Sequence, residues 1–138
     1  MSDGFVLVSG NMDITGFPVI SGDISLVDCP ECVLVISDGG RIPLVKRAAG
    51  VVVNGDSTVI PPGRLSGVQL ISCGRCGKNT VSISSDSGEV LTLALNRAIQ
   101  TASGVCEPME LPVRRAPGSS EFSCMADFAA GLLLGKIL

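Results

Sequence analysis

A chain of 138 residues, 46% hydrophobic and only 17% charged, can bury the core of one compact domain, yet it contains no Trp, Tyr or His and only four Phe. The missing histidines exclude a Ser-His-Asp triad, a Cys-His dyad and any imidazole metal ligand, and no carboxylate pair has a spacing that suggests acid–base chemistry, so an enzyme is not expected. The net charge of −3 is uneven: Asp3, Asp13, Asp23, Asp28, Glu31 and Asp38 precede the first base, Arg41, and nearly all the bases fall between Arg41 and Arg115. Without interleaved aromatics this reads as a dipolar surface, and nucleic acid is not an expected partner.

The predicted elements are mostly short strands. Residues Phe5–Ser9 form an apolar run before a glycine. Residues 24–27 lead into Cys29 and residues 33–37 lead out of Cys32, with a turn at Asp38-Gly39-Gly40. Residues 51–54 repeat the opening run, and Pro61-Pro62-Gly63 marks a turn. Residues 68–72 lead into Cys73 and residues 80–84 lead away from Cys76, with Val81 and Ile83 alternating with Ser82 and Ser84 as in a half-buried strand. Asp86-x-Gly88 is a further turn. Beyond it, Leu91, Leu95, Ala98, Ile99 and Ala102 stand at helical spacing, which predicts a helix over 91–103 ended by Gly104. Pro108, Pro112 and Pro117 predict an extended linker over 107–118. From Ser120, the stripe Phe122, Met125, Ala126, Ala129, Leu132 and Leu133 predicts a final helix, packed on the chain's own core or docked on a neighbouring subunit.

The start of the chain has no basic leader, and the apolar run over 128–134 is too short to cross a bilayer. Synthesis in the cytoplasm and no membrane span are therefore expected. In that compartment cysteine pairs are more often metal ligands than disulfides.

An internal repeat organises the first two-thirds of the chain. Val6-Leu-Val-Ser-Gly-Asn11 aligns with Val51-Val-Val-Asn-Gly-Asp56, and Ser21-Gly22 with Ser66-Gly67. Cys29-x-x-Cys32 then aligns with Cys73-x-x-Cys76, and Ser37-Asp38-x-Gly40-x-Ile42 with Ser85-Asp86-x-Gly88-x-Val90. The reading is two units of roughly forty-five residues, each with one CxxC. The expected fold is mainly β: a duplicated small β module with a four-cysteine metal site over residues 1–90, then a helix, a proline-rich linker and a docking helix over 91–138.

A CxxC on a tight turn between strands directs two sulfurs the same way, and two such knuckles supply the four thiolates of tetrahedral zinc at about 2.3 Å per bond. Cys29, Cys32, Cys73 and Cys76 are the predicted ligands, with Gly77 where the backbone would bend beneath the sulfurs. Iron fits the same sulfur cage. A redox CxxC, two disulfides and an iron–sulfur cluster are the other chemistries open to these residues. Cys106 and Cys124 flank the proline segment and read as small buried hydrophobes or a pair.

One segment carries more than composition. Gly10-Asn-Met-Asp-Ile14-Thr15-Gly16-Phe17-Pro18-Val19-Ile20-Ser21-Gly22-Asp23, followed by Cys29, resembles the repeat of the PAAR-repeat family at Ile14, Gly16, Pro18, Gly22 and Asp23, with Thr15 where that family has Asn. The resemblance covers about twenty residues well and about eighty loosely, and it implies a small β-rich cap on the trimeric spike of phage tails or type VI secretion systems. It also implies a metal near the tip, which here would fall to Cys29, Cys32, Cys73 and Cys76 in place of histidines. The resulting expectation is a metal-stabilised structural protein of a phage or phage-like particle, with other subunits of that assembly as partners. The alternative is a zinc-ribbon module that binds protein or nucleic acid through Arg41, Lys46, Arg47, Arg75 and Lys78.

Overall fold

The computed structural model describes residues 4–14, 16–58, 60, 63–65, 67–115 and 118–136. Thr15 of the PAAR-like segment, Pro61 and Pro62 of the expected turn, Ser66 of the repeat and Pro117 of the expected linker lie outside the described residues. Among the described residues twelve strands precede one helix: β1 (Phe5–Ser9), β2 (Val19–Gly22), β3 (Leu26–Asp28), β4 (Cys32–Ile36), β5 (Leu44–Arg47), β6 (Gly50–Asn54), β7 (Leu70–Cys73), β8 (Val81–Asp86), β9 (Val90–Leu95), β10 (Ile99–Thr101), β11 (Gly104–Cys106), β12 (Met109–Arg114) and α1 (Glu121–Leu133).

Eight strands form a central sheet in the order β12-β9-β8-β7-β6-β4-β1-β2. From β2 through β8 all neighbours are parallel, and β9 and β12 close that end antiparallel. A parallel sheet covered on both faces needs strands that are apolar throughout, not alternating. Cys32-Val-Leu-Val-Ile36 and Gly50-Val-Val-Val meet that need, and every one of these residues is buried. Val33, Val35 and Val52 enter a core shared with α1, whereas Leu34, Ile36, Val51 and Val53 enter a second core under a small sheet of β3 and β5. The small sheet contributes Val27 and Val45 inward and leaves the register partners Leu26 and Leu44 outward and exposed.

The helix is part of this core. Ser120 caps it by accepting the Ser123 amide at 3.0 Å, and nearly every residue from Phe122 to Leu133 is buried against the sheet. Its C-terminal turn lies close over β6, where a Cβ on Gly50 would stand 2.7 Å from Leu133 Cδ1. A side chain at residue 50 would have to push the end of Leu133 aside. The stripe read from the sequence is therefore packed on the chain's own sheet, and that face is not open for docking onto a neighbour.

Four expectations are corrected. Residues 91–103 are not helical: β9 runs through them and a hairpin of β10 and β11 follows. The side chains of Leu91, Leu93 and Leu95 all enter the helix-side core, so the period that governs is two, and the helical spacing of Leu91 and Leu95 is a by-product of it. There is thus one C-terminal helix among the described residues, not two. The proline segment is extended as expected, but β12 pairs with β9 through it, with Pro112 opposite Thr92. Because β9 and β12 are hydrogen-bonded into the sheet that holds β1, no separate unit begins after residue 90. The aligned repeat is likewise not matched by equivalent structure: β1 and β6 both lie in the central sheet, whereas residues 24–27 run into the small sheet and their counterparts at 68–72 into the central one.

Candidate functional site

The two CxxC segments are in different places. Cys29 and Cys32 close the turn between β3 and β4, with the Cys32 amide donating to the Cys29 carbonyl at 3.3 Å. Cys73 ends β7, and Cys76 is exposed in the loop that follows. The register of β4 on β6 and of β6 on β7 puts Cys32 near the start of the parallel strands and Cys73 near their end. That is roughly 16 Å along the strand direction, with two strand spacings to cross as well. The faces differ too: Cys32 enters the core under the small sheet, and Cys73 enters the core under α1. Sulfurs on one tetrahedral zinc lie about 4 Å apart. The arrangement within one chain therefore joins Cys29 and Cys32 in one turn but does not bring the two CxxC segments together, and among the described residues no group of three or more His, Cys, Asp or Glu is placed to hold a metal ion.

Burial governs the thiols. Loss of solvent pushes Cys32 up to about 12, with the neighbouring Cys29 as the next cause, and pushes Cys73 higher still. Cys106 is half-buried on β11 and Cys124 is buried on the first turn of α1, and none of the six cysteines is in a disulfide. The backbone constraint near the second pair falls on Gly74, not Gly77. A Cβ on Gly74 would meet the Asp56 carboxylate and the Asn79 amide, whereas one on Gly77 would meet nothing.

Ligand sites of parallel sheets gather outside the carboxyl ends of the strands. Here those ends carry Asp38, Asn54, Asp56, Ser57 and Asn79. Ser57 donates to Asp38 at 3.0 Å, the Arg75 amide donates to Asp56 at 3.1 Å, and Asn79 donates to Asp56 at 3.1 Å. The polar groups thus close turns against each other.

A charged cluster ties the helix to the sheet. Arg75 donates from Nε to Glu121 at 2.9 Å and from its terminal nitrogen to Asp86 at 3.1 Å. Arg115 reaches both carboxylates, at 3.3 Å to Glu121 and 3.5 Å to Asp86. The Arg75 guanidinium holds Glu121 below its ordinary value of 4.5, and the Gly88 amide, followed by Arg75, holds Asp86 below 3.8. A carboxylate whose folded value is depressed contributes stability that is complete above its unfolded value and lost as pH falls through the folded one. The melting temperature is expected to drop as pH is lowered from about 5 into the range below 4, and Glu121→Gln should flatten part of that slope. Melting curves of both proteins from neutral to acid pH test it; parallel slopes would remove the cluster from the account.

The bases singled out for binding are largely engaged. Arg41 pairs with Asp23 at 3.6 Å, Arg47 with Asp28 at 2.6 Å, and Arg75 with the two carboxylates above. What the sequence reading did not single out is the edge strand β2. All four of its residues are exposed, and Ile20 is 61% exposed. Its signal was there to be read, in a β-branched pair set between Pro18 and Gly22. No helix among the described residues is long and apolar enough to cross a membrane. No family model, no curated protein and no solved structure matches this chain.

Proposed function

We propose that this chain is a structural subunit of a phage or phage-like particle, a spike-tip or accessory component that joins a neighbouring subunit through the β2 edge of its sheet. The observation that supports this reading is the edge strand itself. The PAAR-like residues Ile14, Gly16, Pro18, Gly22 and Asp23 bracket β2. One side of β2 pairs with β1, where Val6 donates to the Pro18 carbonyl at 3.0 Å, and no further strand lies beyond it among the described residues. An open, apolar edge is a template for a strand of another chain. The opposite edge has the usual protection: Pro112 has no N–H to offer, and Glu110 and Arg114 are exposed on either side.

Zinc, with iron as the chemical alternative, enters the sequence expectation through Cys29, Cys32, Cys73 and Cys76. Since one chain does not bring these four together, the present reading routes nothing through a metal. The rigidity a particle component needs rests instead on the central strands β4 and β6, buried on both faces of the sheet.

The test is sedimentation of particles from cells that make a tagged full-length chain. The wild-type chain is expected in the particle fraction. Ile20→Lys should leave that fraction at an unchanged melting temperature, because residue 20 is on the surface. A wild-type chain found only as free protein would overturn the proposal.

A further inference from the structure

The first cysteine pair has a geometry that a purely structural role does not use. Cys29 and Cys32 are the ends of one hydrogen-bonded turn, and the Cys29 carbonyl also lies 3.3 Å from Cys32 Sγ. Such a turn holds its end Cα atoms within about 7 Å, and a disulfide spans about 4.4–6.8 Å between Cα atoms. Both ends are anchored. The Cys29 amide donates to the Arg47 carbonyl at 3.0 Å, and the Cys32 carbonyl accepts from Ala49 at 2.7 Å. Their exposures are graded: Cys29 is partly accessible, and Cys32 is fully buried behind it. A reagent from solvent meets Cys29 first. The second pair lacks this order, because Cys73 lies in the helix-side core while Cys76 stands in an exposed loop.

We propose that Cys29 and Cys32 form a thiol–disulfide exchange site whose substrate is a small disulfide of the glutathione class. In the first step the Cys29 sulfur attacks one sulfur of the small disulfide; the S–S bond breaks, and one glutathione leaves as thiolate and takes up the proton Cys29 gives up. In the second step the Cys32 sulfur attacks the Cys29 sulfur and expels the other glutathione, which takes the Cys32 proton. The chain's dithiol is oxidised by two electrons, and one disulfide is reduced to two thiols. Cys29 is the entering residue and Cys32 the resolving one. This site is independent of the particle reading, since it needs only the turn between β3 and β4.

The experiment treats the full-length protein with oxidised glutathione, blocks the remaining thiols by alkylation and maps the peptides by mass spectrometry. Loss of the Cys29 and Cys32 thiols, with the two linked to each other and no glutathione retained on either, is the expected result, whatever the exposed Cys76 carries. Cys32→Ser should keep one glutathione on Cys29, and Cys29→Ser should leave Cys32 unmodified in the folded chain. Two results would overturn the proposal: a wild-type chain that keeps glutathione on Cys29 with Cys32 still reduced, or one in which Cys29 does not react.

Discussion

Replacing Leu93 by Ala is expected to destabilise the chain by about 2–5 kcal/mol in urea unfolding, the range for a fully buried leucine reduced to a methyl group in a packed core. Leu93 is 0% exposed and lies between Ile83 of β8 and Leu111 of β12 on the helix-side face. Relaxation cannot fill the space cheaply, because hydrogen bonds hold β8 and β12 on either side. The neighbouring Thr92→Ala should stay within about 0.5–1 kcal/mol, since it removes little buried surface. The contrast decides between strand and helix. On a helix over 91–103, Leu93 would stand off the apolar stripe of Leu91, Leu95 and Ala98, and its loss would be nearly silent. A small effect at Leu93 together with a large one at Ala98 would therefore contradict β9.

Phe128→Ala is expected to cost about 3–5 kcal/mol, the range for truncating a buried aromatic. Phe128 is 3% exposed in the middle of α1, in the core formed by the helix and the central sheet. With no Trp or Tyr in the chain, one of its four Phe carries a large share of the aromatic surface available to that core. The effect should appear in the isolated chain and at every protein concentration. A helix that docked on another subunit would behave in the opposite way: Phe128→Ala would leave the isolated chain unfolding at its usual urea midpoint and weaken assembly instead. Urea unfolding at two protein concentrations, with gel filtration of the variant, separates the two.

Much of the strand content was legible because it rests on local chemistry. The run at Phe5–Ser9, the strands around both CxxC segments and the turns at Asp38-Gly39 and Asp86-x-Gly88 are written in β-branched runs and turn residues, and the structure has them. The last helix was legible for the same reason, as an apolar stripe starting near Ser120, whereas the capping bond from the Ser123 amide to Ser120 is seen only in the structure. The small strands β2, β5, β10 and β11 were not, since three or four residues carry too little pattern to stand out from a loop.

Sites are a different matter, because a pair of cysteines three residues apart specifies only its own turn. That Cys29 and Cys32 share a turn is a property of the sequence; whether they meet Cys73 and Cys76 depends on strand order and register. The sequence by itself determined a chain without histidine chemistry, rich in β-branched strands and finished by an amphipathic helix. Only the tertiary structure decided that Leu91–Leu95 is a strand, that α1 closes the chain's own core, and that β4 and β7 hold their cysteines on opposite faces at opposite ends. The reason is physical: side-chain period sets what a segment can be, whereas hydrogen bonds between distant strands set which face and which neighbour it receives.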